Sequence, residues 1–375
     1  MSTLRNTFRF NAVRQRLQGQ IPRVHCHDNP QSRQLVGRLR QLHQPFRPTP
    51  WLFNTHLQLV FLNARKKQAD QFYDRLEPLT MSDGGHTVLA WRGHDLPAAT
   101  PTIVVLHTIT GSPQSMRELV QDLHESTGWR VVLCVRRGHA DLPLPTPKIN
   151  ILGCTADLRE QLAVIRERFP DSPLYGVGSS AGSGLLVRYL GEEGQAAVFR
   201  AAFAYCPGYN TDNAFDKAHP FYSRLMAKKL VKQFIIPHEP KLRHLPTVQR
   251  LASARSLSDF HDHIYELAGY SSLAEYTAAS NPMRVFTAIT KPIMILNSED
   301  DPVCRFENID PYREAMAQMP NVILVTTAQG SHCAHYEGWS AKSWAGRLMG
   351  DYFLTVSRMA LSPSPLVGEG RGEGC

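Results

Sequence analysis

Six short apolar runs alternate with helical patterns from Thr102 onward, and this rhythm constrains the fold more than any other feature of the chain. The runs are Thr102–His107, Arg130–Val135, Pro173–Val177, Ala201–Tyr205, Pro292–Leu296 and Val322–Thr326, each ending in small, polar or turn-forming residues. Between them lie stretches such as Thr155–Phe169, where Leu158, Leu162, Ile165 and Phe169 fall on one helical face. Strands separated by helices build a mostly parallel sheet with helices on both sides. The expected class is α/β.

One interval breaks the rhythm. Residues 207–290, rich in Tyr, His, Lys and Arg, are too many for a bare loop inside a compact sheet, and read as a helical cap over its C-terminal edge. The expected organisation is a flexible basic leader over 1–43, core over 44–206, cap over 207–290, core again over 291–358, and a disordered Pro/Gly-biased tail over 359–375.

Composition then excludes whole classes. With 375 residues, 42% hydrophobic and 20% charged, the chain is neither disordered, collagen-like nor a coiled coil. Its net charge of +8 points toward nucleic acid or an anionic membrane, but the charge is local. Residues 1–69 hold twelve Lys or Arg against one acid, Asp28, which leaves the rest mildly acidic. No zinc spacing or RNP-like aromatic signature accompanies them, so no nucleic-acid partner is expected. The leader is read as solvated, with peripheral contact to an anionic lipid surface as the alternative. Seven dispersed cysteines without a C-x-x-C pair argue for a reducing compartment and against a disulfide framework. No apolar run reaches the ~18–20 residues of a spanning helix, and no signal peptide opens the chain. A cytoplasmic protein is expected; an Arg-rich, acid-poor start also suits a mitochondrial presequence.

The strongest chemical signal is Gly178-Ser179-Ser180-Ala181-Gly182, set between an apolar strand and the helical run Gly184–Leu190. In that context G-x-S-x-G is a tight strand-to-helix turn that exposes Ser180 as a nucleophile. A serine needs a base and an acid that orients it, expected in the order Ser, Asp, His. Asp300 and Asp301 follow the Pro292–Leu296 run, and His332 and His335 follow Val322–Thr326, all at strand C-terminal ends. Asp301 is preferred over Asp300, and His332 over His335 because Gly330-Ser331-His332 comes directly after the strand. The oxyanion donors are expected to be Ala181 N–H and, from the loop after the first strong strand, Ile109 N–H, with Thr108 as the alternative. No metal or organic cofactor is expected.

Further signatures run in order along the chain: Pro50-Trp51 with Asn54, His56 and Gln58; Asp83-Gly84-Gly85 with Leu89-Ala90-Trp91; His107 to Gly111; Arg137-Gly138; Thr146-Pro147; and Gly153-Cys154-Thr155-Ala156-Asp157-Leu158. With the nucleophile turn, Asp300-Asp301-Pro302 and Gly330-Ser331-His332, the chain resembles the YheT-like α/β-hydrolases, the AB hydrolase 4 family, from about Pro45 to Leu354. The resemblance implies Ser180 as nucleophile, Asp301 as acid and His332 as base in an α/β-hydrolase fold. It also implies medium-chain or monoacylglycerol-type esters as substrates. The chain departs from the family at Thr108 and Ser183, where the family has Gly, and at Ser331, where it has the second Gly of Gly-Gly-His. Thr155 reads as a helix N-cap with Asp157 in the first turn, and both, with Arg137, as structural.

The expected function is therefore that of a serine esterase. An acyltransferase that passes the acyl group to an alcohol is the first alternative, and a non-catalytic hydrolase-fold binding protein is the second. Phe221, Tyr222, Leu225, Leu230, Phe234, Ile235 and Ile236 of the cap are expected either to line an acyl pocket or to pack the cap.

Overall fold

The computed structural model describes residues 18–66 and 72–361. Nine strands form one sheet: β1 (Arg23–Cys26), β2 (Arg75–Thr80), β3 (His86–Arg92), β4 (Thr102–Leu106), β5 (Arg130–Val135), β6 (Leu174–Ser179), β7 (Phe199–Tyr205), β8 (Ile293–Ser298) and β9 (Val322–Thr327). Their order is β1-β9-β8-β7-β6-β4-β5-β3-β2. The six central strands pair in parallel, while β1 on β9, and β2 and β3 beyond β5, are antiparallel. The fold is thus the expected α/β-hydrolase architecture, with three antiparallel strands added that the alternation of apolar runs did not signal.

The helices that matter for the site are α1 (Pro30–Arg38), α2 (Thr55–Arg65), α3 (Pro113–Thr127), α4 (Thr155–Arg168) and α5 (Ala181–Glu193), then α6 (Pro220–Leu230), α7 (Glu239–Leu242), α8 (Val248–Ala252), α9 (Leu257–His263), α10 (Leu273–Ser280), α11 (Arg313–Gln318) and α12 (Trp344–Leu361). Side-chain alternation along β4 sends Ile103 and Val105 to one face and Val104 and Leu106 to the other. The first pair packs with α3 and α12 through Val120, Leu123 and Leu348. The second packs with α4 and α5 through Leu158, Leu162, Ile165 and Leu186. Burying each such aliphatic side chain contributes roughly 1.5–3 kcal/mol, so both faces are needed to hold the sheet.

The segment from 207 to 290 is helical and has its own apolar cluster, including Leu230, Phe234, Leu251, Phe260 and Tyr276. Among the described residues no helix is long and apolar enough to cross a membrane.

The leader expected over 1–43 needs correction. Residues 1–17 lie outside the described residues, but β1 extends the sheet, and Leu35, Leu39 and Leu42 are buried in the core. A four-residue strand and a nine-residue helix of low mean hydropathy present no apolar run, so their burial was not legible. At the other end α12 continues to Leu361, and the rest of the expected tail, 362–375, lies outside the described residues. A smaller correction concerns α4, whose N-cap is Cys154 and not Thr155.

Candidate active site

The order of the strands brings the chemistry together. The chain reverses direction of sheet growth at β4, so the loops after β4 and β6 border one crevice at the C-terminal edge. Ser180 follows β6 directly, with φ 52° and ψ −116°, a conformation held by its N–H donating to Tyr205 O at 2.8 Å. The two glycines of the turn are demanded by crowding. A Cβ on Gly178 would lie 2.4 Å from Gly182 O, and one on Gly182 would lie 2.1 Å from Leu106 O. Ser183, where the resembled family has Gly, is fully buried and donates to Gly178 O at 2.7 Å and Tyr205 O at 2.9 Å. It braces the turn from inside.

Ser180 Oγ lies 2.9 Å from His332 Nε2, and His332 Nδ1 lies 2.7 Å from Asp301 Oδ2. The other Asp301 oxygen accepts from Val303 N–H at 2.7 Å and Cys304 N–H at 2.9 Å, so the carboxylate is fixed in the turn after β8. Asp300 accepts from Ser331 N–H at 2.8 Å, which ties the acid turn to the histidine loop. Burial works against charge on His332, yet Asp301, with the Cys333 and Cys304 thiols near the ring, holds its pKa well above 6.5. A hydroxyl in contact with such an imidazole can surrender its proton as it attacks an electrophilic carbon.

The structure brings Ser180, His332 and Asp301 into contact and leaves the alternatives elsewhere. His335 is buried, with Nδ1 at 3.0 Å from Tyr205 OH and Nε2 at 2.9 Å from Thr327 Oγ1, and burial pushes its pKa down to about 3. Gly330 makes room for that ring: its φ is 143°, and a Cβ would come within 2.2 Å of His335 Nε2. Ser331, at φ 50°, occupies the backbone region that favours glycine and is held there by Asp300 and by Thr55, whose Oγ1 lies 2.6 Å from Ser331 Oγ.

Ala181 and Ile109 both line the pocket beside Ser180. Thr108 keeps a negative φ, so the backbone there does not call for the family's glycine. The loop is braced by residues that the sequence did not single out. Arg136, buried, donates to His107 O at 3.1 Å and Thr108 O at 2.7 Å. His139 Nε2 lies 3.0 Å from Ile109 O, and His107 Nε2 accepts from Arg136 N–H at 3.1 Å. Two consecutive arginines at the end of a fully buried strand were the available signal, since each had to find partners inside.

Residues 101–338 match the family model of the alpha/beta hydrolase fold. The chain belongs to that family. Among its relatives, it is 29% identical over 371 residues to the embryogenesis-associated protein EMB8 of Picea glauca, covering 92% of this chain and 79% of that one. It is 27% identical over 319 residues to the medium-chain fatty acid ethyl ester synthase/esterase 2 of Saccharomyces cerevisiae, covering 77% and 69%. Monoacylglycerol lipase ABHD2 of Homo sapiens is 25% identical over 337 residues, covering 81% and 78%. A general hydrolase or esterase function follows from membership together with these relatives.

Beside Ser180 this hydrolase has a pocket lined mostly by apolar residues, with Ile109, Leu152, Leu185, Phe215, Met226 and Val303 among them. Thr155, Arg188 and Glu192 also contribute to its lining, and Arg188 is engaged by Glu192 and by Ala278 O at 2.8 Å. None of the cap residues expected either to line an acyl pocket or to pack the cap lines this one. Leu230, Phe234 and Ile235 pack the cap core, while Phe221, Leu225 and Ile236 are exposed. The α6 residue that reaches the pocket is Met226, one helical step from the expected set.

Arg137 stands apart from the pocket. Its guanidinium bonds Asp157 through Nε at 2.8 Å and Nη2 at 2.5 Å, and Asp83 through Nη1 and Nη2 at 3.0 Å each. This network ties α4 to the turn between β2 and β3, a structural duty.

Proposed function

We propose that the protein is a serine carboxylic-ester hydrolase of the YheT-like, AB hydrolase 4 group, working through Ser180, His332 and Asp301. The observation that carries the reading is the unbroken contact from Ser180 Oγ through His332 to the buried Asp301, opening on an apolar pocket.

In this mechanism Ser180 Oγ attacks the ester carbonyl carbon while His332 Nε2 takes its proton. The carbonyl oxygen gains the charge and is met by the N–H groups of Ala181, at the start of α5, and Ile109. Losing one such donor costs about 3–4 kcal/mol of barrier. His332 then returns the proton to the leaving alcohol as the C–O bond breaks, and water repeats the sequence on the acyl-enzyme. Arg136 and His139 act at a distance by holding the loop that presents Ile109.

Medium-chain or monoacylglycerol-type esters suit the apolar walls, and the activities named for the yeast and human relatives support the same class. A series of p-nitrophenyl esters of increasing chain length, with monoacylglycerols alongside, tests it. The expected result is a maximum in kcat/KM at medium length that Ser180→Ala abolishes. An added alcohol separates the two acyl fates: transfer exceeding hydrolysis would replace this reading with an acyltransferase.

A further inference from the structure

Several large apolar side chains are exposed on and beside two neighbouring helices. Trp51 and Phe53 before α2, Leu57 and Val60 on it, and Phe221 and Leu225 on α6 are between 36% and 67% exposed. Phe221 and Leu225, four apart, share a helix face. The two helices are joined through aromatic contacts: His56 Nδ1 lies 2.6 Å from Tyr222 OH, the two rings stack at 5.8 Å, and Tyr222 meets Phe221 edge-on. Trp51 extends the surface by donating its indole N–H to the carbonyl of Trp339, itself 78% exposed. Exposed apolar side chains gathered in this way mark a contact surface.

Charge identifies the partner. Residues 44–66 and 217–238, which carry both helices, contain no Asp or Glu and eight Lys or Arg. Of these, Lys217, Arg224, Lys228 and Lys232 are exposed around the apolar residues of α6. Apolar side chains surrounded by cations complement an anionic bilayer, where the former enter the acyl boundary and the latter meet phosphates. A second copy of this chain would bring the same cations against one another across a two-fold axis.

The face also adjoins the site. Thr55, at the start of α2, donates its hydroxyl to Asp300 O at 3.0 Å, and His219, just before α6, donates its N–H to Pro302 O at 2.9 Å. Met226 of α6 lines the Ser180 pocket. We propose that the α2–α6 face docks on an anionic lipid surface, with the pocket beside it. Docking itself needs no turnover; only its use for lipid esters rests on the hydrolase reading.

Flotation with vesicles tests the proposal on the full chain carrying Ser180→Ala, so that no ester is consumed. The protein is expected to float with phosphatidylcholine and phosphatidylserine mixed at about 3 to 1, and not with phosphatidylcholine alone. Phe221→Asp with Leu225→Asp, and separately Lys228→Glu with Lys232→Glu, are each expected to lower the bound fraction about tenfold. In the Ser180 background both pairs should leave kcat/KM on a soluble short-chain ester unchanged, which shows that they fold. The proposal is overturned if the parent protein does not float with anionic vesicles, or if both variant pairs float as it does. It is also overturned if light scattering finds a dimer that the aspartate pair converts to monomer, because the face then joins two copies. Failure of Ser180 to react with an ester or a fluorophosphonate would overturn the hydrolase reading and leave the flotation result standing.

Discussion

Asp301 holds His332 with one carboxylate oxygen and is itself held by two backbone N–H groups through the other. This division of labour separates it from Asp300, whose side chain accepts from Ser331 N–H. Asp301→Asn should keep the turn but stabilise the wrong imidazole tautomer, lowering kcat by about 10⁴-fold. Asp300→Asn retains an acceptor for Ser331 and should lower kcat by less than about tenfold. Steady-state kinetics on one p-nitrophenyl ester compares the two.

His332 has its proton affinity set by two opposing influences. Burial disfavours its charge, but Asp301, with the nearby Cys333 and Cys304 thiols, raises its pKa well above 6.5. A base must be neutral to accept the Ser180 proton, so activity rises as pH rises through that raised value. The pH profile of kcat/KM should therefore show an acid limb centred above 6.5. A plateau already complete at about pH 6 would contradict this assignment.

Arg137 places its guanidinium between Asp157 and Asp83, with its side chain only 4% exposed. Removing the better-buried partner strands a charge inside. Asp157→Ala should cost about 3–5 kcal/mol of stability, whereas Asp83→Ala, at a half-exposed site, should cost about 1 kcal/mol or less. Urea unfolding measures both, and neither should alter kcat of the folded enzyme greatly.

Asp122 offers a change in the opposite direction. Burial foremost, and Glu118 beside it, raise its carboxyl from 3.8 to about 7, and Oδ2 has no hydrogen-bond partner among the described residues. Between those two values the folded protein keeps a proton that the unfolded chain has released, so stability falls as pH rises across that window. Asp122→Asn removes the ionisable group and should raise Tm at about pH 8 while leaving it nearly unchanged at about pH 4. Thermal melts at both values check the sign.

The sequence made some parts of this molecule legible and hid others for physical reasons. The central parallel strands are buried on both faces, so β4, β5, β8 and β9 stand out as apolar runs within a residue or two of their ends. Ser180 was readable because the crowding at Gly178 and Gly182 excludes any Cβ. β1 and α1 were hidden: the core contacts of this segment come from a few residues, such as Leu35 on α1 and Leu39 just after it, scattered among arginines and histidines. Leu39→Ala should cost about 2–5 kcal/mol, as no residue of a solvated leader would. Arg136 and His139 were hidden for a different reason. They bond backbone carbonyls, which no side-chain motif encodes.

The account stands on Ser180 as an activated nucleophile, and covalent labelling measures that most directly. Intact protein treated with a fluorophosphonate, digested and analysed by mass spectrometry should carry one adduct on the peptide containing Ser180. Labelling should slow when His332→Ala removes the base and vanish in Ser180→Ala. Folded wild-type protein that takes no label, or takes it equally in the Ser180→Ala variant, would contradict the account.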